Sequence, residues 1–119
     1  MEFIFDNERP IYIQLVEVLR IGIVSGYFEM GDRLPSVREL ALMAKVNPNT
    51  MQKALMELED EKLIYTERTN GKFVTNDKKL IKKVRSSLAS SKVENFFLDM
   101  EKIGMNKDEV LKYLQENIK

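Results

Sequence analysis

Neither cysteine nor histidine occurs in the 119 residues. Without cysteine there is no disulfide framework and no thiolate to serve as nucleophile or ligand, which suits a reducing cytosol. Without histidine the commonest general base and the imidazole metal ligand are gone, leaving carboxylate chemistry or an oxygen-ligated cation. No nucleophile and base, and no clustered carboxylates, stand at a spacing that catalysis needs. The sequence therefore predicts no enzyme, no cofactor and no metal. Long apolar runs are missing as well: nothing approaches the roughly 20 residues that cross a bilayer. The start carries Glu2, Asp6 and Glu8 where a signal peptide would carry basic residues before an apolar stretch. A cytoplasmic protein without a membrane partner is expected. Net charge is also absent, with 19 basic and 19 acidic residues. The distribution is uneven: residues 1–76 hold nine Lys and Arg against twelve Asp and Glu, and residues 77–119 hold ten against seven.

What is present is one core's worth of apolar residues, 44% of the chain. That length and content allow one globular domain with an appendage. Phe3 and Phe5 alternate with Glu2, Ile4 and Asp6, a strand-like start that ends at the turn-prone stretch from Asn7 to Pro10. Ile11, Leu15, Val18, Leu19 and Ile23 recur at helical spacing, and Gly26 closes this first helix. Ser36 and Glu39 form a capping box ahead of a short second helix whose apolar face is Val37, Leu40, Ala41 and Ala44. Asn47 as N-cap with Pro48 at the first helical position opens a third helix. Met51, Ala54, Leu55 and Leu58 give that helix a core face. Its other side carries Asn49, Gln52 and Lys53, donors suited to base edges and phosphates. The amides around Asn47, Pro48 and Asn49 add a potential anion site at the helix start.

An acidic run, Glu57 to Glu61, lies toward the far end of the third helix. Segments 63–68 and 72–75 read as two strands, with Asn70 and Gly71 expected to supply the positive φ angles of a tight hairpin turn. From Asp77 a helix of about 25 residues, roughly 37 Å, runs to Gly104. Its basic start, Lys78, Lys79, Lys82, Lys83 and Arg85, opposes the helix dipole, which points to a role near a polyanion. Asn106 and Glu109 form a second capping box, and Val110, Leu111, Leu114 and Ile118 are expected as the buried stripe of a last helix. The apolar set Leu88, Val93, Phe96, Phe97, Met100, Ile103, Leu111 and Leu114 is too large for two free helices in water, so a second copy of the chain is expected to cover it. A tail of this size leaves little room for an effector cavity.

Three helices, a short turn from Lys45 to Asn47 between the second and third, and a hairpin describe a winged helix-turn-helix. The fold class expected is mainly α with a small β-hairpin wing, divided into residues 1–76 and a two-helix tail, residues 77–119. The run from Gly31 to Ala41, then Val46 to Leu55, then Gly71 to Val74, resembles the N-terminal domain of the GntR family of bacterial regulators. The stretch from Pro10 to Leu15 is similar to that family's first helix. These separated motifs cover about residues 3–76 and are more specific than a single helix-turn-helix pattern. The short tail resembles the YtrA subfamily, whose members lack a large ligand-binding domain and dimerise through the tail.

The resemblance implies a dimeric transcription regulator, most simply a repressor, on double-stranded DNA with a palindromic operator. It implies that Arg33 and Arg38 approach the DNA from around the second helix, with Ser36 beside them in the contact set as well as in the cap. Asn47, Pro48, Asn49, Thr50, Gln52 and Lys53 would form the reading end of the third helix. Asn70, Gly71 and Lys72 would lie at the wing, in or near the minor groove. Where many members carry Ser-Arg after the valine of the turn, this chain has Asn47 and Pro48. The competing reading is a winged helix used for protein association, with the third helix as its contact face.

Overall fold

A computed structural model describes residues 1–118. Among them lie α1 (Ile11–Val24), α2 (Val37–Ala44), α3 (Pro48–Asp60), β1 (Ile64–Glu67), β2 (Gly71–Val74), α4 (Lys78–Lys102) and α5 (Lys107–Asn117). The chain divides into two compact units, Met1–Arg85 and the residues from Ser86 onward.

The core of the first unit follows from helical spacing. Leu15, Leu19 and Ile23 on α1, Leu40, Ala41 and Ala44 on α2, and Met51, Ala54, Leu55 and Leu58 on α3 are all buried, with Leu63, Ile64 and Val74 of the hairpin beneath them. The local signals hold where they are purely local. Ser36 Oγ accepts from the Glu39 amide at 3.1 Å, and the Glu39 carboxylate accepts from the Ser36 amide at 3.3 Å. Lys45 then takes the left-handed conformation, φ 56°, so that α2 closes with Val46 N–H on the Ala41 carbonyl.

Two local expectations are corrected, and one further pairing is found. The first residues form no strand: Phe3 and Phe5 are half-buried and their neighbours exposed, but Gln14 takes the place of a partner strand. Its buried amide accepts from Asp6 N–H at 2.8 Å and donates to the Asp6 and Arg9 carbonyls. In the wing Asn70 has no positive φ; only Gly71 does, at 103°. The strands pair from Ile64 with Val74 to Glu67 with Gly71, and Asn70 N–H closes on the Glu67 carbonyl. That makes a three-residue loop followed by glycine, which needs one left-handed residue and not two. The irregular connection before α2 also pairs with the wing. Arg33 bridges Phe73, Leu34 N–H donates to the Lys72 carbonyl at 2.8 Å, and Val74 N–H donates to the Asp32 carbonyl at 2.9 Å.

The acidic run ties α3 to its neighbours. Tyr12 Oη donates to Glu57 at 2.7 Å, and Arg20 makes a two-pronged pair with Glu61 at 2.9 and 2.6 Å. Glu59 accepts from the Thr66 hydroxyl and pairs with Lys72 at 3.7 Å. The first unit also extends beyond residue 76. Asp77 caps α4 through the Leu80 amide, Ile81 is buried, and Arg85 Nε donates to the Val24 carbonyl at the end of α1.

In the second unit α4 ends at Gly104, φ 90°, with Met105 N–H on the Met100 carbonyl. The Asn106 and Glu109 capping box forms as expected. The stripe on α5 is buried only at Val110: Leu114 is half-buried, while Leu111 and Ile118 are 50% and 66% exposed. Two helices enclose one residue of a stripe, because the rest of its surface needs a further layer.

Two measurements check these contacts. Arg20→Ala should lower unfolding free energy in urea by about 1–2 kcal/mol, since a charge-assisted pair at the edge of solvent is removed; an unchanged midpoint would show the pair to be idle. Glu57 holds the Tyr12 phenol above the ordinary tyrosine range, first through the accepted hydrogen bond and then through burial. The neutral phenol is the form the fold favours, so this contribution is present at neutral pH and fades as pH rises through the raised value. In a phenolate absorbance titration Tyr12, one of four tyrosines, should ionise late, and Glu57→Gln should move that step to lower pH.

Candidate nucleic-acid interface

The N-terminal half of α3 is held from one side only. Its core face is fully buried, whereas Asn47, Pro48, Asn49 and Lys53 are exposed and Thr50 and Gln52 half-buried. The Asn47 carboxamide oxygen accepts from the Asn49 amide at 2.7 Å, which fixes the start of the helix. The Thr50 and Met51 amides close on the Asn47 carbonyl. The anion site expected from free amides at this end is therefore already filled by the helix's own cap: a side-chain oxygen sits where a phosphate oxygen would accept. Any anion recognition here falls to side chains.

Arg38 stands exposed in the first turn of α2, directly after the Ser36 cap. Lys53 lies over the Tyr12 ring, its Nζ 5.9 Å from the ring centre, so α1 contributes to the position of a cation on α3. On the wing, Asn70 is exposed and its amide donates to the Glu67 carboxylate at 3.2 Å. Lys72 is half-buried, donates to Thr66 Oγ1 at 2.9 Å and pairs with Glu59. Its charge is thus committed within the fold. Arg33 is exposed and makes no ion pair among the described residues, and its side chain lies against Gly71. Arg85, from the basic cluster of the long helix, is likewise committed to the end of α1, while Lys78, Lys79, Lys82 and Lys83 are exposed.

The structure thus brings Arg33 and Gly71 together, keeps Ser36, Asn47 and Lys72 in structural bonds, and leaves Arg38, Asn49 and Lys53 exposed. Sequence reasoning missed the commitment of Lys72 and the approach of Arg33 to the wing. Both depend on pairing between separate segments of the chain, and no local pattern announces it. In the second unit, Val93, Phe96 and Ile103 are exposed and Leu88, Phe97 and Met100 half-buried or at the edge of exposure. A groove of about 770 Å³ runs along that unit, with Val93, Phe97, Leu98 and Met105 among its walls. No helix of the described residues is long and apolar enough to cross a membrane, and no group of acidic side chains among them could hold a metal ion.

Residues 11–74 match the family of bacterial regulatory proteins called the gntR family. The chain is 32% identical to the HTH-type transcriptional repressor YtrA of Bacillus subtilis over 111 residues, which is 92% of this chain and 85% of that protein. Among solved structures it is similar to a GntR family transcriptional regulator from Listeria monocytogenes. The TM-score is 0.84 and the identity 43%, over 94% of this chain and 98% of that one. It is also similar to the AraR DNA-binding domain in complex with operator ORX1, with TM-score 0.57 and 26% identity over 63% of this chain and 96% of that one. The winged arrangement of three helices and a hairpin, the exposed start of α3 and a match over more than half of the sequence agree: this chain belongs to the GntR family of DNA-binding transcription regulators, which are not enzymes.

Proposed function

We propose that this chain is a dimeric cytoplasmic repressor that occupies an inverted-repeat operator in double-stranded DNA, without needing a small-molecule effector. Residues 1–76, with the first turns of α4 that pack on them as far as Arg85, are the DNA-binding part, and the remainder of residues 77–119 is the dimerisation tail. The observation that carries this reading is the exposed reading end of α3, with Asn49 and Lys53 open to solvent and Arg38 exposed on the preceding helix. Asn and Gln pair bidentately with adenine in the major groove, and a winged helix presents the start of its third helix there. Arg38 and Arg33 supply phosphate or base contacts beside that helix, and Asn70 and Gly71 at the wing tip approach the minor groove.

A repressor is favoured because the similar YtrA protein bears that name, and an operator because the AraR domain, of like fold, is bound to one. The second copy is favoured by the tail. Phe96 and Ile103 are 39% and 70% exposed on and just after α4, and Leu111 is half open on α5. A two-fold partner covers the same residues on both chains and places two reading helices on a palindrome.

Fluorescence anisotropy on the DNA upstream of the chain's own gene, against scrambled DNA of equal length, tests the reading. Saturation at two chains per specific duplex is expected, with Arg38→Ala costing about 1–3 kcal/mol, or roughly 5- to 160-fold in affinity. Equal weak binding to both duplexes, unmoved by Arg38→Ala, would leave a distant operator or the protein-association module, and a partner pull-down separates the two. A second measurement concerns the basic start of α4. Replacing Lys78, Lys79, Lys82 and Lys83 with glutamine should flatten the salt dependence by about 0.9 in log–log slope for each phosphate that is no longer neutralised. An unchanged slope would remove these lysines from the interface.

A further inference from the structure

We infer that Gly71 is a positioning residue for Arg33: the bare Cα of the wing glycine is the seat across which the Arg33 guanidinium is laid toward DNA. The inference rests on the DNA-binding reading and deepens it at one place. Three observations carry it. A Cβ built on Gly71 would stand 3.0 Å from Arg33 Nε and 3.4 Å from Arg33 Nη2, so a side chain there shifts the guanidinium off this seat by at least a few tenths of an ångström. The Arg33 backbone is itself fixed to the wing, through its bridge to Phe73 and the bond from Leu34 N–H to the Lys72 carbonyl. The displaced side chain therefore cannot be followed by its main chain.

Charge supplies the third observation. Lys72, one of two cations in the wing sequence, is spent on Glu59. Arg33 and the loop residue Arg68 have no ion-pair partner among the described residues. Part of the free positive charge at the loop end of the wing is thus contributed from outside the hairpin, by the arginine whose side chain lies against Gly71. A guanidinium held flat against backbone loses less conformational freedom on contacting a phosphate or a groove edge than one extended into solvent.

A double-substitution cycle on operator affinity tests this, with Arg33→Ala, Gly71→Asn and the pair. Gly71 sits at φ 103°, where every side chain is strained, and asparagine visits positive φ more readily than most; urea unfolding of each variant confirms that binding is measured on folded protein. Each single substitution should weaken operator binding about tenfold or more and lower the salt slope alike. In the Arg33→Ala background Gly71→Asn should then cost at least several-fold less than it does alone, the remainder being the glycine's own approach to the groove. Multiplying losses would overturn the inference while leaving the regulator reading intact. If the unsubstituted protein binds no operator at all, that reading falls, and nuclear Overhauser contact between Arg33 Hε and Gly71 Hα decides the seat by itself. The contact should be present in the native chain and absent in Gly71→Asn; its absence from the native chain would overturn the inference.

Discussion

The burial of Met51, Ala54, Leu55 and Leu58 against α1 and α2 sets the height and rotation of α3, and the side chains on its outer face inherit their positions from that stripe. A stripe at i, i+3, i+4 and i+7 fixes rotation about the helix axis but resists sliding along it only weakly. The carboxylates of the C-terminal half add that restraint. Glu57 is tied to Tyr12 and Glu61 to Arg20, both on α1, and Glu59 to Lys72 on the wing, so one helical segment is held to two elements. The helix is clamped at one end, and the other end, from Asn47 to Lys53, keeps its outer face open. A reading element needs that division, because side chains that hold the helix cannot also be free to meet a base.

The same arrangement resolves the apparent conflict between zero net charge and a polyanionic partner. Net charge is a sum over the whole chain, whereas association responds to the local field at the surface that meets DNA. Here Glu59 and Glu61 of the α3 end are neutralised where they stand, by residues of the wing and α1. Arg33, Arg38, Lys45, Lys53 and Arg68 form no ion pair among the described residues. Lys72 is the exception: its pairing with Glu59 leaves Arg68 and Arg33 as the unpaired cations at the loop end of the wing.

How much of this could be read in the sequence follows the range of the forces involved. Both capping boxes, the Asn47 and Pro48 start of α3, its core face and the span of α4 rest on residues within one or two turns, and they stand as expected. The alternation of Phe3 and Phe5 gave the right burial pattern and the wrong element, because alternation says which side is covered and not whether a partner strand exists. Asn70 and Gly71 marked the turn correctly, but the loop length, set by the pairing of Glu67 with Gly71, moved the positive φ to glycine alone. The first unit runs on to Arg85, which is bonded to Val24 at the end of α1, far back in the chain. The exposed side chains at the start of α3 were legible from residue type. Which cations near them were already committed was not, since that depends on Glu59, Thr66 and Val24 arriving from elsewhere.

The tail presents the opposite balance. From Ser86 onward only Val110 is buried among the described residues, while Val93, Leu98, Ile103 and Leu111 are at least half exposed. Capping and pairs three or four residues apart contribute a few tenths to about one kilocalorie each, which is marginal support for helices of this length in water. Each buried methylene is worth about 0.8 kcal/mol, so covering those side chains outweighs the local contributions together. If a second copy provides the cover, as proposed, folding of the tail and occupancy of a two-fold operator become linked through protein concentration. Such a repressor would then respond to its own abundance, because the unit that joins two reading heads is the one that is least complete in a single chain.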